Sequence, residues 1–334
     1  MLGLKIISMK ATAVAPSNIA FIKYWGKKDE ILRLPLNGSL SVNLSNQFTT
    51  TTVEFSPNYK DNSFLLNGKE LEDNQRIFKH IDYIKKRSNV TEKAKIVSIN
   101  NFPTASGLAS SASGYAALTL AAVNALGLTL SEKELSVFAR IGSGSACRSI
   151  PDGFVEWIEG DVNNPSSSYA ISLFPENHWN ISIITLLVEA DKKEISSTSG
   201  HRLALENPFL RTRLEQINNK IKQAKEYIKA KDFMSFGKLI ESEAIEMHAI
   251  ALTSSPPILY WNGATISLMK TIWHFRKKGI NAYFTIDAGP HLHVIVQKKD
   301  EQILINELNK VAEVKKLILN YPAKGARIKD NHLF

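Results

Sequence analysis

Cysteine is nearly absent from this sequence. Cys147 is the only one among 334 residues, so no internal disulfide can form. A chain of this length can bury a core without one, and a reducing compartment fits. Long hydrophobic runs are missing too. The opening MLGLKIISMK has too short an apolar run for a signal peptide or a membrane span. A cytoplasmic protein with no membrane partner is therefore expected. Zinc-ligand spacing, an RNA-binding aromatic signature, low-complexity tails and internal repeats are absent. So is the G-x-x-x-x-G-K-S/T phosphate loop, because no lysine follows the glycine of the chain's small-residue loop.

Positive charge is in excess, with a formal net charge of +9. The basic residues are spread out. Their two small clusters, Lys85-Lys86-Arg87 and Arg276-Lys277-Lys278, fall at the ends of predicted helices, where cations suit the helix dipole. No continuous basic face emerges, so no nucleic-acid partner is expected. Anionic small substrates fit the charge better. Hydrophobic content of 44% and charged content of 22% are those of a globular protein.

The chain is organised around Asn100 to Gly127. A β-type run, Ala94 to Ile99, leads into the small residues Pro103 to Ser111. Tyr115 to Leu126 then forms a helix, with Gly127 as its stop. Small residues let backbone N–H groups close around an anion, and the helix adds its positive end. Taken alone, the stretch reads first as an Ala-rich helix behind a turn, with phosphate binding second.

Upstream, Thr12–Ala15 and Ile19–Trp25 read as strands broken at Ala15-Pro16-Ser17-Asn18, and Leu40–Leu44 and Phe48–Phe55 as two more. A hairpin is expected at Asn67-Gly68, and a helix over Asp73–Arg87. Ser131-Glu132-Lys133-Glu134 is a capping box. It opens a helix that runs into Gly142 to Ser149, a second small-residue loop with one arginine, Arg148. A guanidinium on such a loop can grip a carboxylate at two points, or lie on the surface of a turn. The second half carries four helices: a long amphipathic one marked by Leu210 to Ile228, then Phe233–Ile250, Ala264–Lys277 and Glu301–Val311. Strands at Ala282–Ile286 and Leu292–Val296 precede the last of them. Asp287 sits where the first of these meets an Ala-Gly-Pro turn, either as a rigidly held carboxylate or as a cap of its own turn. The reading is α+β, with domains over residues 1–190 and 191–334.

Together these stretches resemble the mevalonate diphosphate decarboxylase family. Ala15-Pro16-Ser17-Asn18-Ile19-Ala20 through Ile22-Lys23-Tyr24-Trp25-Gly26-Lys27 resembles its opening motif, and Leu34 to Ser41 the segment after it. Phe102 to Ser111 is similar to its phosphate loop, Gly142 to Ser149 to its arginine loop, and Ile286 to Pro290 to its acidic turn. Each match is short. They occur in the family's order from residue 15 to residue 290, which is specific.

The resemblance implies a two-domain fold of the superfamily of galactokinase, homoserine kinase and mevalonate kinase. Its N-terminal domain is ribosomal-protein-S5-like, its C-terminal domain is ferredoxin-like, and the active site lies between them. It implies ATP-dependent decarboxylation of mevalonate 5-diphosphate to isopentenyl diphosphate, with Mg²⁺ and usually as a homodimer. Asp287, Lys23 and Arg148 take the catalytic places. Tyr24, Lys27, Ser143, Ser145, Arg148 and Ser197 would bind substrate. Ser106, Gly107, Leu108, Ala109, Ser110 and Ser111 would cradle ATP, which carries the magnesium; no protein ligand is assigned to that ion, with Ser110 and Ser111 as the candidates. His201 and His291 replace the family's usual Met and Asn, and Pro151-Asp152 an aromatic-glycine pair. Those departures bear on substrate choice, so a phosphomevalonate decarboxylase and a mevalonate 3-kinase remain alternatives, with a basic RNA-binding protein more remote.

Overall fold

A computed structural model describes residues 9–71, 73–103, 110–189 and 195–334. The N-terminal half runs β1 (Lys10–Ile22), β2 (Lys27–Asp29), β3 (Leu34–Pro35), β4 (Ser39–Ser56), β5 (Ser63–Leu66), β6 (Lys69–Glu70), α1 (Gln75–Lys85), β7 (Lys93–Asn100), α2 (Ser110–Ala125), α3 (Glu132–Gly142), β8 (Phe154–Trp157) and β9 (Ala170–Phe174). The second half runs β10 (Ile181–Leu187), α4 (Ser197–Leu203), α5 (Leu210–Ala230), α6 (Phe233–Leu252), α7 (Gly263–Lys277), β11 (Ala282–Ile286), β12 (Leu292–Gln297), α8 (Glu301–Leu308), β13 (Lys316–Asn320) and β14 (Arg327–Lys329).

The first sheet has the order β14-β1-β4-β7-β5-β6, with β8 on β4 and β9 on β8. Two expected breaks do not occur. β1 passes straight through Pro16, and β4 is one strand where two were expected. The pairing of β1 with β4 absorbs the irregularity as register shifts at Pro16/Asn18 and Ala20/Ile22. A proline removes a ladder donor, and a bulge accommodates that without ending the strand.

α2 shows why its sequence lacks an apolar stripe. It is buried on nearly every side, between the sheet and α1 and α3, through Ala116, Ala117, Ala121, Ala122 and Ala125. Alanines allow that close approach. Gly127 ends the run at φ 65°, as a left-handed C-terminal stop requires. The capping box at Ser131 is formed with Glu134.

The second sheet has the order β11-β12-β10-β13, all antiparallel. Helices follow its first and third strands in chain order, which is the β-α-β-β-α-β ferredoxin-like arrangement. α7 and α8 cover one face, packing Leu268, Ile272 and Leu304 over Ile184, Phe284 and Val294. A division near residue 190 would leave β10 in the N-terminal half, and residue 190 itself lies outside the described residues. Since β10 pairs with β12 and β13, we propose a division before Ile181. A further core of Ile19, Phe21 and Val42 with Phe236, Ile240, Tyr283 and Ile295 cements the halves together. No helix among the described residues is long and apolar enough to cross a membrane.

Candidate active site

The chain beyond β1 turns into a cavity of about 320 Å³ at the junction of the two halves. Lys23, the first residue beyond β1, is 1% exposed. Its Nζ donates to the Ala20 carbonyl and to Asp287 Oδ1, both at 2.7 Å. Asp287 follows β11 in the tight turn that Gly289 N–H closes onto the Asp287 carbonyl at 2.7 Å. Its carboxylate is 24% exposed and lines the cavity. Burial is the largest single influence and pushes that carboxyl up, but Lys23, His293 and Arg148 together outweigh it and hold the group below the usual range. Asp287 is therefore ionised at neutral pH. Burial pulls Lys23 below its ordinary value, and the charges of Asp287 and Glu243 offset only part of that.

Arg148 enters from the 3₁₀ turn Gly144–Ser149. It is buried, and among the described residues no carboxylate pairs with its fork. Nε and Nη2 donate to Asn18 Oδ1 at 3.2 and 3.0 Å, and Nη1 to Ser39 Oγ at 2.9 Å. Asn18 is itself fixed, donating to Ser149 Oγ at 2.8 Å and the Ser145 carbonyl at 3.1 Å. A guanidinium has five N–H donors, so one on each terminal nitrogen is left for a ligand. Asn18 stands at the first register shift of β1. The proline in the strand was the available signal for it.

Most of the other expected residues line the same cavity: Tyr24, Lys27, Ser110, Ser111, Ser143, Ser145 and Ser197. The Tyr24 hydroxyl is buried without a hydrogen-bond partner among the described residues, a state that calls for a ligand or water. Gly144 lies against its ring, where a Cβ would come within 3.0 Å. Lys27 pairs with Glu30 at 2.8 Å. Ser143 Oγ donates to Ser111 Oγ at 3.4 Å. Ser196 caps α4 by accepting the Ser199 N–H, which leaves Ser197 on the cavity wall. Ser106, Gly107, Leu108 and Ala109 lie outside the described residues.

His201 is packed against Tyr24 and Trp25, at ring distances of 4.2 and 4.6 Å. Its Nδ1 accepts the Gly26 N–H at 2.9 Å, so the proton of the neutral ring is on Nε2. Burial drives its pKa well down, and Lys27 and Arg148 add to the effect. His291 is not on the cavity; its Nδ1 accepts the Val188 N–H. Glu243 of α6 and Arg213 of α5 form a buried pair that brackets the Lys23 peptide. Glu243 Oε1 accepts the Lys23 N–H at 3.1 Å, while Arg213 Nη2 and Asn37 Nδ2 donate to its carbonyl at 3.1 and 3.0 Å. The helices of the second half thus hold the lysine of the first half by its backbone. On the helical stripes, these two charges were invisible among the apolar positions.

Residues 15–170 match the diphosphomevalonate decarboxylase-like N-terminal domain, and residues 183–331 match the mevalonate 5-diphosphate decarboxylase C-terminal domain. The chain belongs to the diphosphomevalonate decarboxylase family.

A diphosphomevalonate decarboxylase of Debaryomyces hansenii is 38% identical over 320 residues, covering 90% of this chain and 82% of that one. The structure of mevalonate diphosphate decarboxylase from Staphylococcus aureus superposes with a TM-score of 0.91 at 38% identity, covering 96% of this chain and 98% of that one. Another solved relative, in complex with MVAPP, AMPPCP and magnesium, gives a TM-score of 0.90 at 38% identity, covering 96% and 99%. The two-domain fold expected from the sequence is therefore that of the decarboxylase family. Within this chain, the family's opening motif, arginine loop and acidic turn meet at one cavity.

Proposed function

We propose that this chain carries out the ATP-dependent decarboxylation of mevalonate 5-diphosphate, forming isopentenyl diphosphate, ADP, phosphate and carbon dioxide. The observation that carries the reading is the ion pair of Lys23 with Asp287 in the cavity that Arg148 also lines. A tertiary alcohol is a poor leaving group, so it is phosphorylated first. Asp287 accepts a hydrogen bond from that hydroxyl and takes its proton late. A carboxylate of low pKa suffices, because a loose phosphoryl-transfer transition state leaves the attacking oxygen little changed until the new bond is well formed. Lys23 offsets charge on the transferring phosphoryl group. Arg148 holds the substrate carboxylate with its remaining N–H groups. The carbon–carboxylate bond then breaks, its electron pair forms the alkene, and phosphate leaves with the carbon–oxygen pair.

Tyr24 and Lys27 bind the diphosphate, with Ser143, Ser145 and Ser197 around the substrate. ATP lies on the stretch from Ser106 to Ser111. Its magnesium would be held by the phosphates, with the Ser110 or Ser111 hydroxyl as a candidate protein ligand, and would supply charge neutralisation there. Both serines line the cavity, as that placement requires. The basic surface draws in a substrate with several negative charges. A cytoplasmic homodimer with no nucleic-acid partner completes the proposal.

Incubation with ATP, Mg²⁺ and either the 5-diphosphate or the 5-monophosphate tests the reading. Equal release of ADP and carbon dioxide from the 5-diphosphate is expected. ADP release without gas would mark a 3-kinase, and preference for the monophosphate would mark the other relative. Arg148→Ala is expected to lower kcat/KM by about a hundredfold or more, since it removes a buried charged contact. Arg148→Lys keeps the charge but loses the two-point fork, and should recover only part. Normal turnover by Arg148→Ala would take this residue out of the site.

A further inference from the structure

Around this cavity, some of the positive charge is not matched by acid. Lys23 is answered by Asp287 and Lys27 by Glu30, at 2.7 and 2.8 Å. Arg33 and Arg76 line the same cavity, and among the described residues neither forms an ion pair with a carboxylate. Arg33 is half-buried. Burial lowers its pKa, and the neighbouring Arg76 guanidinium lowers it further. Arg76 lies against the Tyr115 ring at 5.8 Å. Glu30, already paired with Lys27, offsets only part of the effect on Arg33, and an anion between two close cations removes the remaining cost.

The geometry of Arg33 presents its fork. Its Nε donates to the Ile141 carbonyl at 2.8 Å, which steers the side chain and leaves both terminal nitrogens with their N–H groups. Its backbone has φ 51°, a left-handed conformation that a residue with a Cβ adopts only when the surroundings enforce it. Glycine would suit that turn better, so a side chain here points to a use for it. Arg33 also acts on the Tyr24 hydroxyl, partly opposing the upward push of burial.

We propose that Arg33, with Arg76 beside it, is a specificity-determining residue that grips the terminal phosphate of the substrate's diphosphate. The inference rests on the diphosphate reading above. A planar guanidinium meets two phosphate oxygens at once. A monophosphate lacks the group that would reach it.

The test is Arg33→Gln, which keeps the polar side chain and the backbone position but removes the charge. The KM for the 5-diphosphate should rise by about tenfold to a hundredfold, as for a lost charge-assisted hydrogen bond, while the KM for ATP moves by less than about twofold. Calorimetric binding of inorganic pyrophosphate should weaken by the same factor. An unchanged KM for the 5-diphosphate overturns the proposal, and so does a rise confined to ATP, which would make the bound anion the nucleotide's. If Arg33→Gln does not fold, Arg33→Lys and the wild-type protein decide. Wild-type pyrophosphate binding no tighter than that of orthophosphate, or undiminished in Arg33→Lys, refutes it. Absence of wild-type turnover would instead sink the proposed reaction, and the pyrophosphate titration would still report on Arg33.

Discussion

Replacing Asp287 with asparagine is expected to lower kcat by about two to four orders of magnitude, the usual span for loss of a positioned acid–base group. The side chains have the same shape, so nucleotide binding should survive. Two things change together. The tertiary hydroxyl loses its anionic acceptor. Lys23 loses the counter-charge 2.7 Å away, in a place where burial already pulls its pKa below normal. Its backbone stays clamped by Glu243, Arg213 and Asn37, so the lysine should not wander. Single-turnover formation of ADP and carbon dioxide, beside a direct nucleotide titration, separates chemistry from binding. Turnover at the normal rate would remove Asp287 from the reaction.

The second large effect is loss of stability in mild acid. His80, His248 and His293 are each at most 4% exposed. Burial pushes the pKa of each down to about 3. In the unfolded chain a histidine titrates near pH 6.5. Between those values the unfolded state binds protons that the folded state refuses, so stability falls as pH falls. The contribution is fully present above about pH 6.5 and is lost progressively on the way down toward pH 3. Each such group gives a slope of about 1.4 kcal/mol per pH unit, so the three give about 4, against a total stability of about 5–15 kcal/mol. His201 moves in the same direction. Urea midpoints at about pH 7.5 and pH 5.5 should therefore differ strongly, and His293→Gln should flatten the dependence. Equal midpoints would mean that these rings are charged, or hydrated, inside the fold.

The motifs that carry chemistry were legible because each is a local arrangement. A helix stop needs only Gly127, and the capping box only Ser131 and Glu134. An arginine on a serine-rich turn shows in a few consecutive letters. What those letters could not tell was how Arg148 is aimed. That takes Asn18 and Ser39, more than a hundred positions away. The break expected at Pro16 was a local inference that failed for a tertiary reason. The long pairing of β1 with β4 outweighs one missing donor, and the irregularity becomes a bulge.

The sequence by itself determined the order of the site-bearing stretches, most of the helices and the kind of chemistry they suit, because caps, periodicity and loop composition act over a few residues. Only the tertiary structure decided that β10 joins the second sheet, that Glu243 and Arg213 clamp the lysine backbone, and that Arg33 faces the cavity with no ion-pair partner among the described residues. Strand partners and charge neighbours are set by packing between segments far apart in the chain, and no short window of sequence contains both members of such a pair.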